Sequence, residues 1–182
     1  GSFKNKEETE NVNIVKTEKF IELCKKVRIP YFIFPSSTSV YGTSTDVVYE
    51  DDDSVVNPQS PYAETKIGIE NLLKNQSDIS YLILRFGTIF GQSIGMRFHT
   101  AINKFCYEVS LGKPLTIWKQ NYEQVRPYLG LDDAVRSIIH FLNNSQCFNQ
   151  TYNVISGNYK LSDVVKSIEK VAGKVDLNMV DT

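Results

Sequence analysis

The sequence predicts an α/β protein with a mainly parallel sheet. Two observations carry this. Short runs such as Tyr31-Phe32-Ile33-Phe34 and Tyr81-Leu82-Ile83-Leu84 are apolar throughout, and between such runs the apolar residues recur at helical spacing. A strand without polar alternation is one buried on both faces, as in a parallel sheet.

The elements follow in order. Gly1-Ser2 reads as a scar of tag removal, and residues 3–11 are polar and charged, which predicts a poorly ordered start. Ile14, Phe20, Ile21, Leu23, Cys24 and Val27 mark a helix over about 12–27 that Arg28-Ile29-Pro30 stops. The strand at 31–34 ends in a polar turn, Pro35-Ser36-Ser37-Thr38-Ser39. Residues 43–59 read as loop, and the acidic run Glu50-Asp51-Asp52-Asp53 within it as a solvated segment. Ser60-Pro61 starts a helix, since proline is favoured in the first turn, and the helix runs through Ile67, Ile69, Leu72 and Leu73. The strand at 81–84 runs into Arg85-Phe86-Gly87. A helix is expected over about 95–111, ending at Gly112, then a strand at 115–118. Asp132 or Asp133 caps a helix to about Leu142, a strand follows at 152–155, and Ser162 caps a last helix closed by Gly173. There is no internal repeat.

With 182 residues, 41% hydrophobic and 23% charged, the chain can bury one core and a small second lobe. A net charge of -1 gives no basic footprint for nucleic acid or a membrane surface. The apolar runs are shorter than a membrane span, and the polar start is unlike a signal peptide. Cys24, Cys106 and Cys147 form no C-x-x-C pair, which points to a reducing, cytoplasmic setting with each thiol a small buried hydrophobe. Neither His99 nor His140 has metal-ligand neighbours at short spacing, so no metal site is expected.

Tyr62 and Lys66 are four apart on the helix that Pro61 opens, so both project from one face. A free phenol, with a pKa of about 10, is a poor base at neutral pH. A neighbouring ammonium stabilises the phenolate, and a tyrosine tuned in this way can take a proton from a sugar hydroxyl. The bare spacing also arises by chance, as an exposed helical pair. Its context adds weight. Ser36-Ser37-Thr38-Ser39 follows a buried strand directly, where side chains of an open α/β sheet face the ligand crevice. A serine there can hold a reacting oxygen, or be part of an ordinary serine-rich turn.

Several segments, in order, resemble the extended short-chain dehydrogenase/reductase family of NAD-dependent sugar-nucleotide epimerases and dehydratases. Pro35-Ser36-Ser37-Thr38-Ser39-Val40-Tyr41-Gly42 is similar to its S-S-x-x-V-Y-G segment, and Ser60-Pro61-Tyr62-Ala63-Glu64-Thr65-Lys66 to S-P-Y-x-x-x-K. Leu84-Arg85-Phe86-Gly87-Thr88-Ile89-Phe90-Gly91 resembles L-R-x-x-N-V-Y-G, and Gln124-Val125-Arg126-Pro127-Tyr128 resembles Q-x-R-D-[FY]. The resemblance implies a partial Rossmann-like doubly wound parallel sheet with a smaller C-terminal α/β substrate-binding lobe. It divides the chain into a start at 1–11, the second half of a dinucleotide-binding domain at 12–88, lobe segments at 89–130 and 159–182, and a return to the Rossmann sheet at 131–158.

By the same resemblance Ser37, Tyr62 and Lys66 are catalytic, and Ser36, Tyr62, Lys66 and Phe86 contact the cofactor, NAD, with NADP still open. Ser37, Thr38, Thr88 and Arg126 contact a nucleotide-diphosphate sugar, Arg126 through its phosphates. Thr88 stands where the family usually has asparagine, Gln92 where it has proline, and Pro127 where it has aspartate, which implies a divergent pocket. The implied reaction is epimerisation through a transient keto-sugar, in a cytoplasmic homodimer. Reduction of a 4-keto sugar, decarboxylation, dehydration, or a noncatalytic binding role are the alternatives. Dehydratases of the family have Asp-Glu where this chain has Thr38-Ser39, so dehydration ranks low. No G-x-x-G-x-x-G occurs in the chain. The sequence therefore reads as the C-terminal part of such an enzyme, expected to hold NAD weakly and to be inactive by itself.

Overall fold

The computed structural model describes residue 3, residues 5–44 and residues 46–181. The expected tag scar at Gly1-Ser2 lies outside them. The chain forms two compact units. One comprises the residues up to Phe86 with Ser137–Val154; the other comprises Gly87–Arg136 and the residues from Ile155 on.

In the first unit a helical segment runs as α1 (Lys6–Glu10), a π-helical stretch (Asn11–Val15) and α2 (Lys16–Lys26). The polar start is therefore helical from Lys6, against the expectation of a poorly ordered segment. Asn5 caps it by accepting from the Glu8 amide, and Asn13 Nδ2 donates to Thr65 Oγ1 at 3.0 Å, tethering the π stretch to the rest of the unit.

β1 (Tyr31–Ser37), β2 (Ser80–Phe86) and β6 (Gln150–Val154) form a parallel sheet in the order β1-β2-β6. Both expected strands are longer than their apolar cores. Serine continues β1, and Arg85 continues β2. The register sets Ser37 opposite Phe86, and Phe86 opposite Val154, so these three lie level at the C-terminal ends of the strands.

α3 (Pro61–Lys74) follows the sequence signals closely. Ser60 Oγ accepts from the Ala63 amide at 3.2 Å, Pro61 sits in the first turn, and Asn75 ends the helix. Its Ile69 and Leu73 join Ile21 of α2, Phe34 of β1 and Ile83 of β2 in a core cluster of buried residues. Burying each such side chain contributes about 1.5–3 kcal/mol. That packing fixes α3 against β1 and β2, and so fixes what its N-terminal turns carry.

A 3₁₀ turn (Thr38–Tyr41) follows β1 and ends at Gly42, whose φ of 65° and ψ of -140° suit glycine alone. A Cβ at Gly42 would lie 2.3 Å from the Asn57 carbonyl oxygen. Gly42→Ala is expected to destabilise the chain by at least about 1–3 kcal/mol from backbone strain alone. Thermal melting checks this, and an unchanged melting temperature would contradict it.

The second unit holds β3 (Thr88–Phe90), α4 (Ala101–Ser110), β4 (Leu115–Trp118), α5 (Lys119–Tyr122), β5 (Val125–Gly130), the first half of α6 (Leu131–Leu142), β7 (Gly157–Lys160), α7 (Leu161–Ala172) and β8 (Leu177–Val180). β3 pairs β5 in parallel, β5 pairs β7 antiparallel, and β4 pairs β8 in parallel. Phe105, Leu115, Ile117, Tyr128, Leu161, Val164, Val165 and Val175 form its core.

Several expectations are corrected here. The helix expected from 95 begins at Ala101, after a turn-rich stretch. The last helix begins at Leu161, with Asp163 accepting from the Lys160 amide at 3.1 Å, so Ser162 lies within it and is buried. β5 is a strand despite Pro127, whose missing N–H argues against a central position. The register resolves this: β3 joins β5 only from Tyr128 onward, so Pro127 is paired on one side, opposite Asn158. Cys24 is buried as expected, but Cys106 is exposed on α4.

Candidate active site

α3 and β1 of the first unit carry the three residues expected to be catalytic, Tyr62 and Lys66 on the helix and Ser37 at the end of the strand. Tyr62 lies in the first turn of α3 and is 38% exposed, enough for a ligand to reach it. Lys66, one turn on, is half-buried. Its Nζ lies 5.5 Å from the centroid of the Tyr62 ring and 4.7 Å from that of Phe34. The same Nζ donates to the Pro35 carbonyl at 2.7 Å. The ammonium therefore bridges the helix and the C-terminal end of β1. Burial pushes Lys66 below the usual lysine range, and the Glu70 carboxylate pulls partly the other way.

Ser37 ends β1, two residues after that carbonyl, and its Oγ accepts from the Ser39 amide at 3.2 Å. Thr38 Oγ1 donates to the Phe86 carbonyl at 3.3 Å, tying the turn to the end of β2. Ser36 points the other way, as adjacent strand residues must. It is buried, and its hydroxyl donates to Glu70 Oε1. Any contact from Ser36 to a cofactor would run through its main chain. Phe86 is 9% exposed at the end of β2.

Thr88 and Arg126 belong to the second unit. Both are exposed; Arg126 lies opposite Tyr159 in the β5–β7 register, and its Nη2 donates to Gln124 Oε1 at 2.7 Å. An apolar groove of about 570 Å³ lies in this unit between α4 and α7, and none of the expected site residues lines it. Among the described residues there is no group of three His, Cys, Asp or Glu that could hold a metal ion, and no helix long and apolar enough to cross a membrane.

The sequence reading passed over a buried network behind the site. Glu70 and Arg85 are both 0% exposed and form an ion pair, with Arg85 Nη2 to Glu70 Oε2 at 2.6 Å and Nε within 3.1 and 3.2 Å of both carboxylate oxygens. Arg85 Nη1 donates to the Tyr41 hydroxyl at 2.8 Å, which donates to Asn153 Oδ1 at 2.7 Å. Asn153 Nδ2 donates to Glu50 at 3.0 Å, so Glu50 is partnered and half-buried rather than part of a fully solvated acidic run. One signal could have found the network: a lone arginine in an otherwise apolar strand must have a buried anionic partner. Burial pushes the Tyr41 phenol up, partly offset by its bond from Arg85.

The sequence model of the NAD dependent epimerase/dehydratase family matches residues 1–154. The chain belongs to this family. Among curated epimerase/dehydratase relatives, an uncharacterized UDP-glucose epimerase, YtcB, of Bacillus subtilis (strain 168) is 33% identical over 169 residues, which cover 89% of this chain and 51% of that protein. UDP-glucuronate 4-epimerase 1 of Arabidopsis thaliana is 31% identical over 139 residues, covering 73% of this chain and 32% of that one. The chain thus spans about half or less of the length of these relatives. The crystal structure of UDP-glucuronic acid 4-epimerase from Bacillus cereus, in complex with UDP-glucuronic acid and NAD, aligns with a TM-score of 0.84 at 27% identity, over 95% of this chain and 55% of that one. A UDP-N-acetylglucosamine 4-epimerase from Methanobrevibacter ruminantium M1 aligns over the whole chain and 59% of its own, with a TM-score of 0.88 at 24% identity, a likeness of fold. The α/β architecture with parallel sheets expected from the sequence is that of these epimerase/dehydratase structures.

Proposed function

We propose that this chain is the catalytic half of an NAD-dependent epimerase acting on a nucleotide-diphosphate sugar through a transient keto-sugar. The observation that carries the reading is the Lys66 ammonium, held beside the Tyr62 ring and bonded to β1 two residues before Ser37.

In this reading Tyr62, with its phenolate favoured by that ammonium, takes the proton from the sugar hydroxyl and later returns it. Ser37 accepts from Ser39 and keeps its own proton to donate to the reacting oxygen. NAD supplies the hydride acceptor and donor when bound. The residues present fit its nicotinamide-ribose half. Lys66 spends one of its three N–H donors on Pro35, leaving others for ribose hydroxyls, and Phe86 lies level with Ser37. The chain carries no glycine-rich turn for the pyrophosphate. In the second unit, Arg126 is the donor for the sugar-nucleotide diphosphate, and Thr88 offers a hydroxyl in place of the family's amide. The first unit is then the nucleotide-binding part and the second the sugar-binding part, in a cytoplasmic homodimer.

The test is to incubate the full-length enzyme that contains this half, loaded with NAD, with UDP-glucose, UDP-glucuronic acid and UDP-N-acetylglucosamine and to follow the sugar by NMR. One of these is expected to convert to its epimer at a single carbon. Finding all three unchanged, or water lost from the sugar, would overturn the reading.

A further inference from the structure

Ser37 is bracketed on both sides by residues held from behind. Pro35 gives its carbonyl to Lys66 at 2.7 Å. Ser36 gives its hydroxyl to Glu70. Past Ser37, the 3₁₀ turn ends at Tyr41, whose hydroxyl receives Arg85 Nη1 at 2.8 Å, the guanidinium that also clasps Glu70. Glu70 lies one turn beyond Lys66 on α3 and is fully buried.

A carboxylate so far from water needs charge and hydrogen bonds to stay there, and Arg85 with Ser36 supplies them. What the arrangement gains is geometric. Glu70 joins the helix of Tyr62 and Lys66 to the strand end of Ser37, and Arg85 carries the link on to the turn beyond it. Hydroxyl placement matters because a donor must sit where charge develops, and a misplacement of about 1 Å can cost roughly 100-fold in rate.

We propose that Ser36 and Glu70 are positioning residues, which lock the Ser37 hydroxyl in line with the Tyr62–Lys66 pair. This rests on the reading of Ser37 as a catalytic residue. Neither Ser36 nor Glu70 touches the substrate; both act through the strand end.

The test is a double-mutant cycle in the full-length, NAD-loaded enzyme, with the UDP sugar that the NMR experiment finds to be converted, at a temperature well below each variant's melting point. Ser36→Ala is expected to lower kcat about tenfold with KM within about twofold, because the loss falls on the reacting geometry rather than on binding. On a Ser37→Ala background the same change is expected to lower kcat no further, since the group it positions is gone. Ser36→Thr, which keeps the hydroxyl, is expected to recover most of the loss. The proposal is overturned if Ser36→Ala leaves kcat unchanged, if it costs the same factor with and without Ser37, or if Ser36→Thr is as poor as Ser36→Ala. A Ser37→Ala protein with wild-type kcat would instead remove Ser37 from the mechanism, and the reading beneath the proposal with it.

Discussion

Replacing Tyr62 by phenylalanine in the full-length, NAD-loaded enzyme is expected to lower kcat by roughly 10²–10⁴-fold, the usual worth of a positioned acid or base. In free energy that is about 3–5 kcal/mol of lost transition-state stabilisation. The substitution removes one oxygen and keeps the ring. Ile69 and Leu73, on the buried side of the helix, hold α3 against the sheet. Binding of the nucleotide sugar and thermal stability are therefore expected to stay close to wild type. The measurement is kcat beside calorimetric affinity for the sugar nucleotide. Turnover within a few-fold of wild type would remove the phenol from the proton path, whatever the ammonium beside it does.

The second large effect is on the fold. Glu70→Ala is expected to destabilise the chain by about 3–5 kcal/mol, because it leaves a buried guanidinium without its anion. The pair is 0% exposed on both sides, so solvent cannot screen the loss. Urea denaturation of the chain checks this. Replacing both partners at once, Glu70→Leu with Arg85→Met, is expected to recover more than half of the loss, since two apolar side chains leave no buried charge. If Glu70→Ala costs less than about 1 kcal/mol, the range of an exposed pair, the buried ion pair is not what it appears from its geometry.

The first unit was largely legible in the sequence because its signals are local. Ser60-Pro61 marks the start of α3 by cap chemistry, and Tyr31-Phe32-Ile33-Phe34 marks a strand, although burial on both faces does not hold for it: Tyr31 is exposed and Phe32 and Ile33 are half-buried, because β1 has β2 as a neighbour on one side only. Tyr62 and Lys66 share a helix face by spacing alone, and the structure puts the ammonium beside the ring. What the sequence hid is what long-range pairing decides. β5 and β8 become strands because β7 and β4 offer them partners, and Pro127 masks one of them. Asn5 and Asn13 make a helix of a polar start that composition alone reads as unstructured. Asn153 reaches Glu50 across more than a hundred residues, which no local pattern reveals. The Glu70–Arg85 pair was half visible, as a charge in an apolar strand without a named partner.

The two neighbouring serines at the end of β1 face opposite sides of the sheet, one toward Glu70 and one toward the strand-end surface. Chemically alike, they are therefore not interchangeable. Removing one residue from the preceding strand would present the anchoring hydroxyl outward and drive the other into the core, so this stretch can tolerate substitutions far more readily than changes of length.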